Sequence, residues 1–70
     1  MREVEITKEP LELYKILKFE GMASSGGEAK QVIDDGLVSV NGEIERRKRK
    51  KIVSGDIIEF ADDKIHIKLR

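Results

Sequence analysis

The sequence predicts an α+β domain in which two helices pack on a small, mainly antiparallel sheet with a short N-terminal strand. Three observations predict it. Apolar residues recur at helical spacing between Leu11 and Ile33, and Ser25 and Glu28 stand at the spacing of a capping box. From Leu37 onward, short apolar runs alternate with turn residues, Asn41-Gly42 first among them. The chain has 70 residues, enough for a single domain spanning 1–70. A chain this short buries only about 60% of the surface its unfolded form exposes, which leaves room for a small core and one binding face.

The elements follow in order. Glu3 to Thr7 alternate, with Val4 and Ile6 on one side and Glu3 and Glu5 on the other, as in a half-buried edge strand. Thr7 is expected to cap a first helix whose opening turn holds Lys8, Glu9 and Pro10. Its apolar stripe runs through Leu13, Ile16, Leu17 and Phe19, flanked by Leu11 and Tyr14, and Gly21 ends it. Ser25 and Glu28 then open a second helix that turns Ala29, Val32 and Ile33 to the core and stops at Gly36. Asp34 and Asp35 sit at its negative end, where Lys30, one turn back, partly offsets Asp34. Leu37 to Val40 and Glu43 to Glu45 form a hairpin about Asn41-Gly42, both of which accept positive φ. After Ile52-Val53 and a turn at Ser54-Gly55-Asp56, Ile57 to Phe60 pairs with Ile65 to Leu69 across Ala61 to Lys64. Ile65, Ile67 and Leu69 share one face.

Charge is the less ordinary feature. The chain is formally neutral, yet Arg46, Arg47, Lys48, Arg49, Lys50 and Lys51 are consecutive, and without these six, 8 basic residues face 14 acidic ones. Six adjacent like charges repel, so a compact domain gains nothing from them unless an anionic partner or scattered carboxylates answer them. A solvated loop serving only solubility is the plain alternative, but the mixed charges elsewhere already serve that purpose. Both ends of the run join folded segments, Glu45 and Ile52, so its charges form a held rim. As a flat strand it would cover roughly 20 Å and turn about three side chains to one surface. As a loop it could let all six converge, and the salt dependence of binding would steepen from a slope of about 2 to about 4.

Composition narrows the function classes. Cysteine is absent, which excludes a disulfide and a thiolate metal site, and a single histidine leaves few nucleophile-base pairs; no enzyme, cofactor or metal is expected. His66 alternates with Ile65 and Ile67 and reads as a partly exposed strand residue. Met1 to Glu5 lacks the apolar core of a signal peptide, no apolar run is long enough for a bilayer and cysteine is absent, so a cytoplasmic protein is expected; a monomer is expected as well. Membrane association is disfavoured because Glu43 and Glu45 flank the basic run and no apolar wedge or lipidation signal accompanies it. Tyr14, Phe19 and Phe60 are expected in the core, which favours shape and phosphate contact over base stacking.

Leu13, Leu17, Gly21, the helix start from Ser25 to Lys30, Ile33, Gly36, the Val38-Ser39-Val40-Asn41-Gly42 hairpin and Gly55-Asp56 together resemble the alpha-L motif. This is the RNA-binding domain first recognised in the fourth protein of the small ribosomal subunit. The resemblance covers Leu11 to Phe60, and the ordered set is specific where single elements are not. Ser25-Gly26, Ala29-Lys30 and the stretch from Arg47 to Val53 are similar, more narrowly, to small stand-alone YbcJ-like bacterial proteins. The resemblance implies a nonenzymatic module that sits on structured RNA, of the ribosomal or transfer RNA class, through the second helix and the hairpin after it. Relatives commonly place arginine after the capping serine, where this chain has Gly26.

The expected RNA-binding residues are therefore Ser25, Gly26, Gly27 and Lys30 at the helix entrance, Asn41 at the hairpin tip, and Arg46, Arg47, Lys48, Arg49, Lys50 and Lys51. Lys15 and Lys18 lie off the apolar stripe and could extend that surface. The rival reading is an adaptor that docks an acidic protein through the basic run.

Overall fold

A computed structural model describes all residues, 1–70. Nine elements follow one another: β1 (Arg2–Ile6), β2 (Leu11–Glu12), α1 (Leu13–Phe19), α2 (Gly26–Asp34), β3 (Val38–Val40), β4 (Glu43–Ile44), β5 (Lys51–Ile52), β6 (Ile57–Phe60) and β7 (Asp63–Leu69). Five strands form one sheet in the order β1-β7-β6-β3-β4, and β2 and β5 pair apart from it. Only β1 against β7 is parallel, so the sheet is mainly antiparallel, as the sequence predicts.

Register explains the core. Val40 pairs with Ile58 and Ile58 with Ile65, so one inward row crosses three strands. Val4, beside Ile67, extends the buried face to the parallel edge. Leu13, Ile16 and Leu17 of α1 and Ala29 and Ile33 of α2 pack with these strand residues in one cluster. Ile65 and Ile67 are fully buried, whereas Leu69, at the end of the same strand, is 44% exposed. Beyond His66, where the β6 partners end, the turn before β6 flanks β7 instead, with Ile67 N–H donating to the Asp56 carbonyl at 2.9 Å and its carbonyl accepting from Gly55 N–H at 2.8 Å.

Local turn chemistry matches the sequence closely. Asn41 and Gly42 both have positive φ, 53° and 86°, as a two-residue primed hairpin turn requires. The β6–β7 hairpin is tighter than expected, because Phe60 already pairs with Asp63 and only Ala61-Asp62 turn.

The start of α1 is the main correction. Thr7 does not cap it, and Lys8, Glu9 and Pro10 are not its first turn. Leu11 and Glu12 are instead extended and pair with Ile52 and Lys51, which delays the helix to Leu13. Glu12 is the cap residue but its side chain makes no cap hydrogen bond. The orphan N–H groups of Leu13 and Tyr14 donate to the carbonyls of Lys50 (2.9 Å) and Lys48 (3.1 Å). The helix is thus capped by the backbone of the basic run.

Phe19 is the second correction. It is 65% exposed, at the margin of the stripe, where it borders a groove with Val4, Ile6, Leu11 and Ile16 beside the open edge of β1. No element covers that side of α1, so the aromatic ring stays in solvent. Tyr14 and Phe60 are half-buried and pack against the cluster.

Candidate functional site

The site begins with the capping box that opens α2. Ser25 has extended backbone angles, and its Oγ accepts from the Glu28 N–H at 3.1 Å. The Glu28 carboxylate reaches back one residue further than the motif implies, accepting from Ser24 N–H at 2.7 Å. With Glu28 satisfied, the N–H groups of Gly26 and Gly27 remain without intrahelical acceptors at the positive end of the helix. Lys18 of α1 runs alongside: a side chain placed on Gly26 would first meet the Lys18 Cδ, at 3.9 Å.

Lys30, one turn into α2, does not answer Asp34. Its ammonium lies 4.7 Å from the centre of the Tyr14 ring. The Arg49 guanidinium reaches the same ring at 5.4 Å. Tyr14, read from sequence as a core residue, is therefore the point where α1, α2 and the basic loop meet, and its electron-rich ring can hold both cations. Glu12 ties the cluster further, pairing with Lys15 at 3.2 Å and Arg49 at 3.3 Å. Hydrogen bonding to Lys15, and after it to Arg49, holds the Glu12 carboxyl below its ordinary range against the opposing effect of desolvation.

The basic run is neither a flat strand nor an open loop. Lys50 N–H donates to the Arg47 carbonyl at 3.1 Å, closing a turn over Arg47 to Lys50, and Lys51 enters β5. Arg46 folds back to the far end of α2, donating to the Asp34 carbonyl at 3.0 Å. There it, and not Lys30, complements the negative end of the helix. Arg47 grips Glu45 with two side-chain hydrogen bonds of 2.9 and 3.0 Å, and its own N–H donates to the same carboxylate at 3.0 Å. Lys48, Lys50 and Lys51 make none of the chain's ion pairs.

Asn41 is placed differently. Its side chain donates to Asp56 Oδ1 at 3.0 Å and accepts from Ile57 N–H at 2.9 Å, which locks the hairpin tip to the turn before β6. The tip lies at the opposite end of the β3–β4 hairpin from Glu45 and Arg46, so it stands apart from the basic run. The structure thus brings Lys30 together with Arg49 and Lys15, sets Lys18 beside Gly26, and leaves Asn41 outside that cluster.

Glu45 supplies a pH prediction. The Arg47 hydrogen bonds lower its carboxyl from 4.5 to about 2, with backbone bonding and the fields of Arg47 and Lys50 adding to the shift against desolvation. A carboxyl depressed on folding stabilises the native state fully above its unfolded value and loses that contribution as pH falls toward the folded one. Stability is therefore expected to decline between pH 4.5 and about 2 in part through Glu45. Glu45→Gln should flatten that part of the acid limb in urea melts across the range, and an unchanged limb would exclude Glu45 as a contributor.

Comparison with known proteins agrees with this architecture. The S4 domain family matches residues 4–68. YbcJ of Escherichia coli (strain K12) is 44% identical over 57 residues, covering 81% of each chain, and YbcJ of Shigella flexneri matches to the same extent. The solution structure of Escherichia coli YbcJ, described as revealing an alphaL motif involved in RNA binding, superposes with a TM-score of 0.72 at 40% identity. That superposition covers 94% of this chain and 85% of YbcJ. A family match across nearly the whole chain, a relative this similar and the shared fold lead to one conclusion: the chain belongs to the S4 domain family.

Proposed function

We propose that this domain is a nonenzymatic RNA-binding module that holds structured RNA through its phosphates. The observation that carries the reading is the meeting of Lys30 and Arg49 on the Tyr14 ring, with Arg49 and Lys15 on Glu12, which fixes the basic loop beside α2 so that its free lysines and the helix entrance form one cationic surface. Phosphate recognition needs clustered cations on a rigid support, and backbone hydrogen bonds from Leu13 and Tyr14 to the loop supply the rigidity. Membership of the S4 domain family and likeness to YbcJ support RNA as the polyanion. We place the protein in the cytoplasm as a monomer, acting on ribosomal or transfer RNA. The faces of Ser25, Gly26 and Gly27 complete the surface, and Lys18 beside Gly26 supplies charge at the helix entrance. Asn41 contributes from the hairpin tip by way of a separate contact.

Salt titrations against bulk transfer RNA, oligouridine and polyglutamate test this. Transfer RNA is expected to bind tightest, with log K falling against log salt at a slope of at least about 2, since roughly 0.7 is contributed per phosphate contact and three lysines of the run are unpaired. Equal or tighter binding of polyglutamate would instead identify an adaptor for an acidic protein.

A further inference from the structure

We propose that the basic run divides by residue type: Arg46, Arg47 and Arg49 are positioning residues that shape the loop, and Lys48, Lys50 and Lys51 contact the RNA phosphates. The proposal rests on the RNA-binding reading above.

The division follows from what each side chain already holds. The three arginines are spent in three different places: Arg46 on the last turn of α2, Arg47 on Glu45 just after β4, and Arg49 on Glu12 and Tyr14 at the start of α1. These acceptors surround the turn, so the loop is fixed from several directions. Gly36 shows how close one of these contacts is, because a Cβ there would stand 2.6 Å from the Arg46 guanidinium. Arginine suits this work, since a planar fork with five donors can satisfy a carboxylate or carbonyl in one fixed geometry.

The lysines are held differently. The carbonyls of Lys48 and Lys50 cap α1, so their backbone is fixed while their ammonium groups have no carboxylate within ion-pair distance. Lys51 lies in β5, where Glu12 is its strand partner, and is exposed. A phosphate approaching Arg47 would have to take it from Glu45 and leave that carboxylate unpaired beside the new anion. A phosphate approaching a free lysine displaces only a bound counterion, which is the step that drives association with a polyanion. Ammonium groups are also point charges on flexible stems, suited to phosphates whose positions vary with RNA shape.

Two measurements separate the roles, with bulk transfer RNA as the probe. Replacing Lys48, Lys50 and Lys51 together by glutamine is expected to lower the salt slope by about 2, at roughly 0.7 per contact, while amide exchange at Leu13 and Tyr14 stays as in the wild type. Replacing the same lysines by arginine should preserve the slope. Changing Arg46, Arg47 and Arg49 to lysine keeps the formal charge yet should speed exchange at Leu13 and Tyr14, whose acceptors are loop carbonyls; Arg47→Lys alone should do so more mildly. The proposal is overturned if the lysine-to-glutamine protein keeps the wild-type slope, or if the arginine-to-lysine protein keeps wild-type exchange. A wild-type protein without affinity for RNA would remove the lysine half together with the RNA-binding reading, while amide exchange would still decide the arginine half.

Discussion

Ile33→Ala is expected to remove about 2–5 kcal/mol of stability, the range for deleting most of a fully buried aliphatic side chain. A domain of this length has on the order of 4–10 kcal/mol in total, at about 0.05–0.15 kcal/mol per residue. The loss would therefore run from about a fifth of the total to all of it. Ile33 carries this weight because α2 has only two buried residues, and the other, Ala29, is too small to hold the helix alone. The effect reaches the binding surface, since α2 presents Gly26, Gly27 and Lys30 and receives Arg46 at its end. Thermal melts should show a fall of roughly 10 °C or more, at about 4–8 °C per kcal/mol for a domain of this size. A shift below a few degrees would mean that α2 is held by something other than its apolar face.

Gly36→Ala is expected to be the most damaging single methyl group added to the chain. Gly36 has φ of 77°, in the left-handed region, where a Cβ costs about 1–2 kcal/mol. The new methyl would also stand 2.6 Å from Arg46 Nη2 and 2.8 Å from its Cζ. A guanidinium at the end of a flexible chain can move aside, which relieves the steric part but strains the hydrogen bond that its Nη1 donates to the Asp34 carbonyl. The substitution therefore costs backbone strain and weakens one anchor of the basic loop. Melts should fall by roughly 5–15 °C. In the Arg46→Met control, which removes the anchor alone, the fall should be smaller. Gly26→Ala makes the contrast: a methyl there meets nothing nearer than 3.9 Å, φ is not positive, and alanine favours a helix, so stability should hold or rise. Equal losses at Gly26 and Gly36 would count against the left-handed requirement.

The parts of the fold legible in the sequence are those whose physics is local. Ser25 and Glu28 are three residues apart, and the hydrogen bond between them forms within the turn they open, so the start of α2 can be read without its surroundings. Asn41-Gly42 is similar, because positive φ at two adjacent residues is a property of those residues and already sets the β3–β4 hairpin. Alternation likewise marked Ile65 and Ile67 as buried, since a strand has only two faces. Where the buried face of β7 ends is not local: Ile67 is fully buried and Leu69, two residues on, is 44% exposed.

The start of α1 shows the limit most clearly. Thr7 and Pro10 carry ordinary helix-entry chemistry, but the donors at the true start are satisfied by Lys48 and Lys50, far along the chain. No window around residues 7–13 contains that information. Phe19 fails for the related reason that periodicity locates the edge of a stripe but not whether another element lies over it. The surface has the same division. That six cations are present, and that they are joined to folded segments at both ends, follows from the sequence alone. Which of them are already answered depended on Asp34, Glu45 and Glu12, of which only Glu45 is a near neighbour in the chain.

The sequence by itself therefore determined the α+β class, the second helix and its cap, the hairpins and the existence of a cationic rim, because each rests on interactions between residues a few positions apart. Only the tertiary structure decided the parallel pairing of β1 with β7, the entry to α1, the gathering of Lys30 and Arg49 on Tyr14, and the internal partners of the three arginines. Those depend on contacts between distant segments, whose free energy appears only when the whole chain has closed on its core.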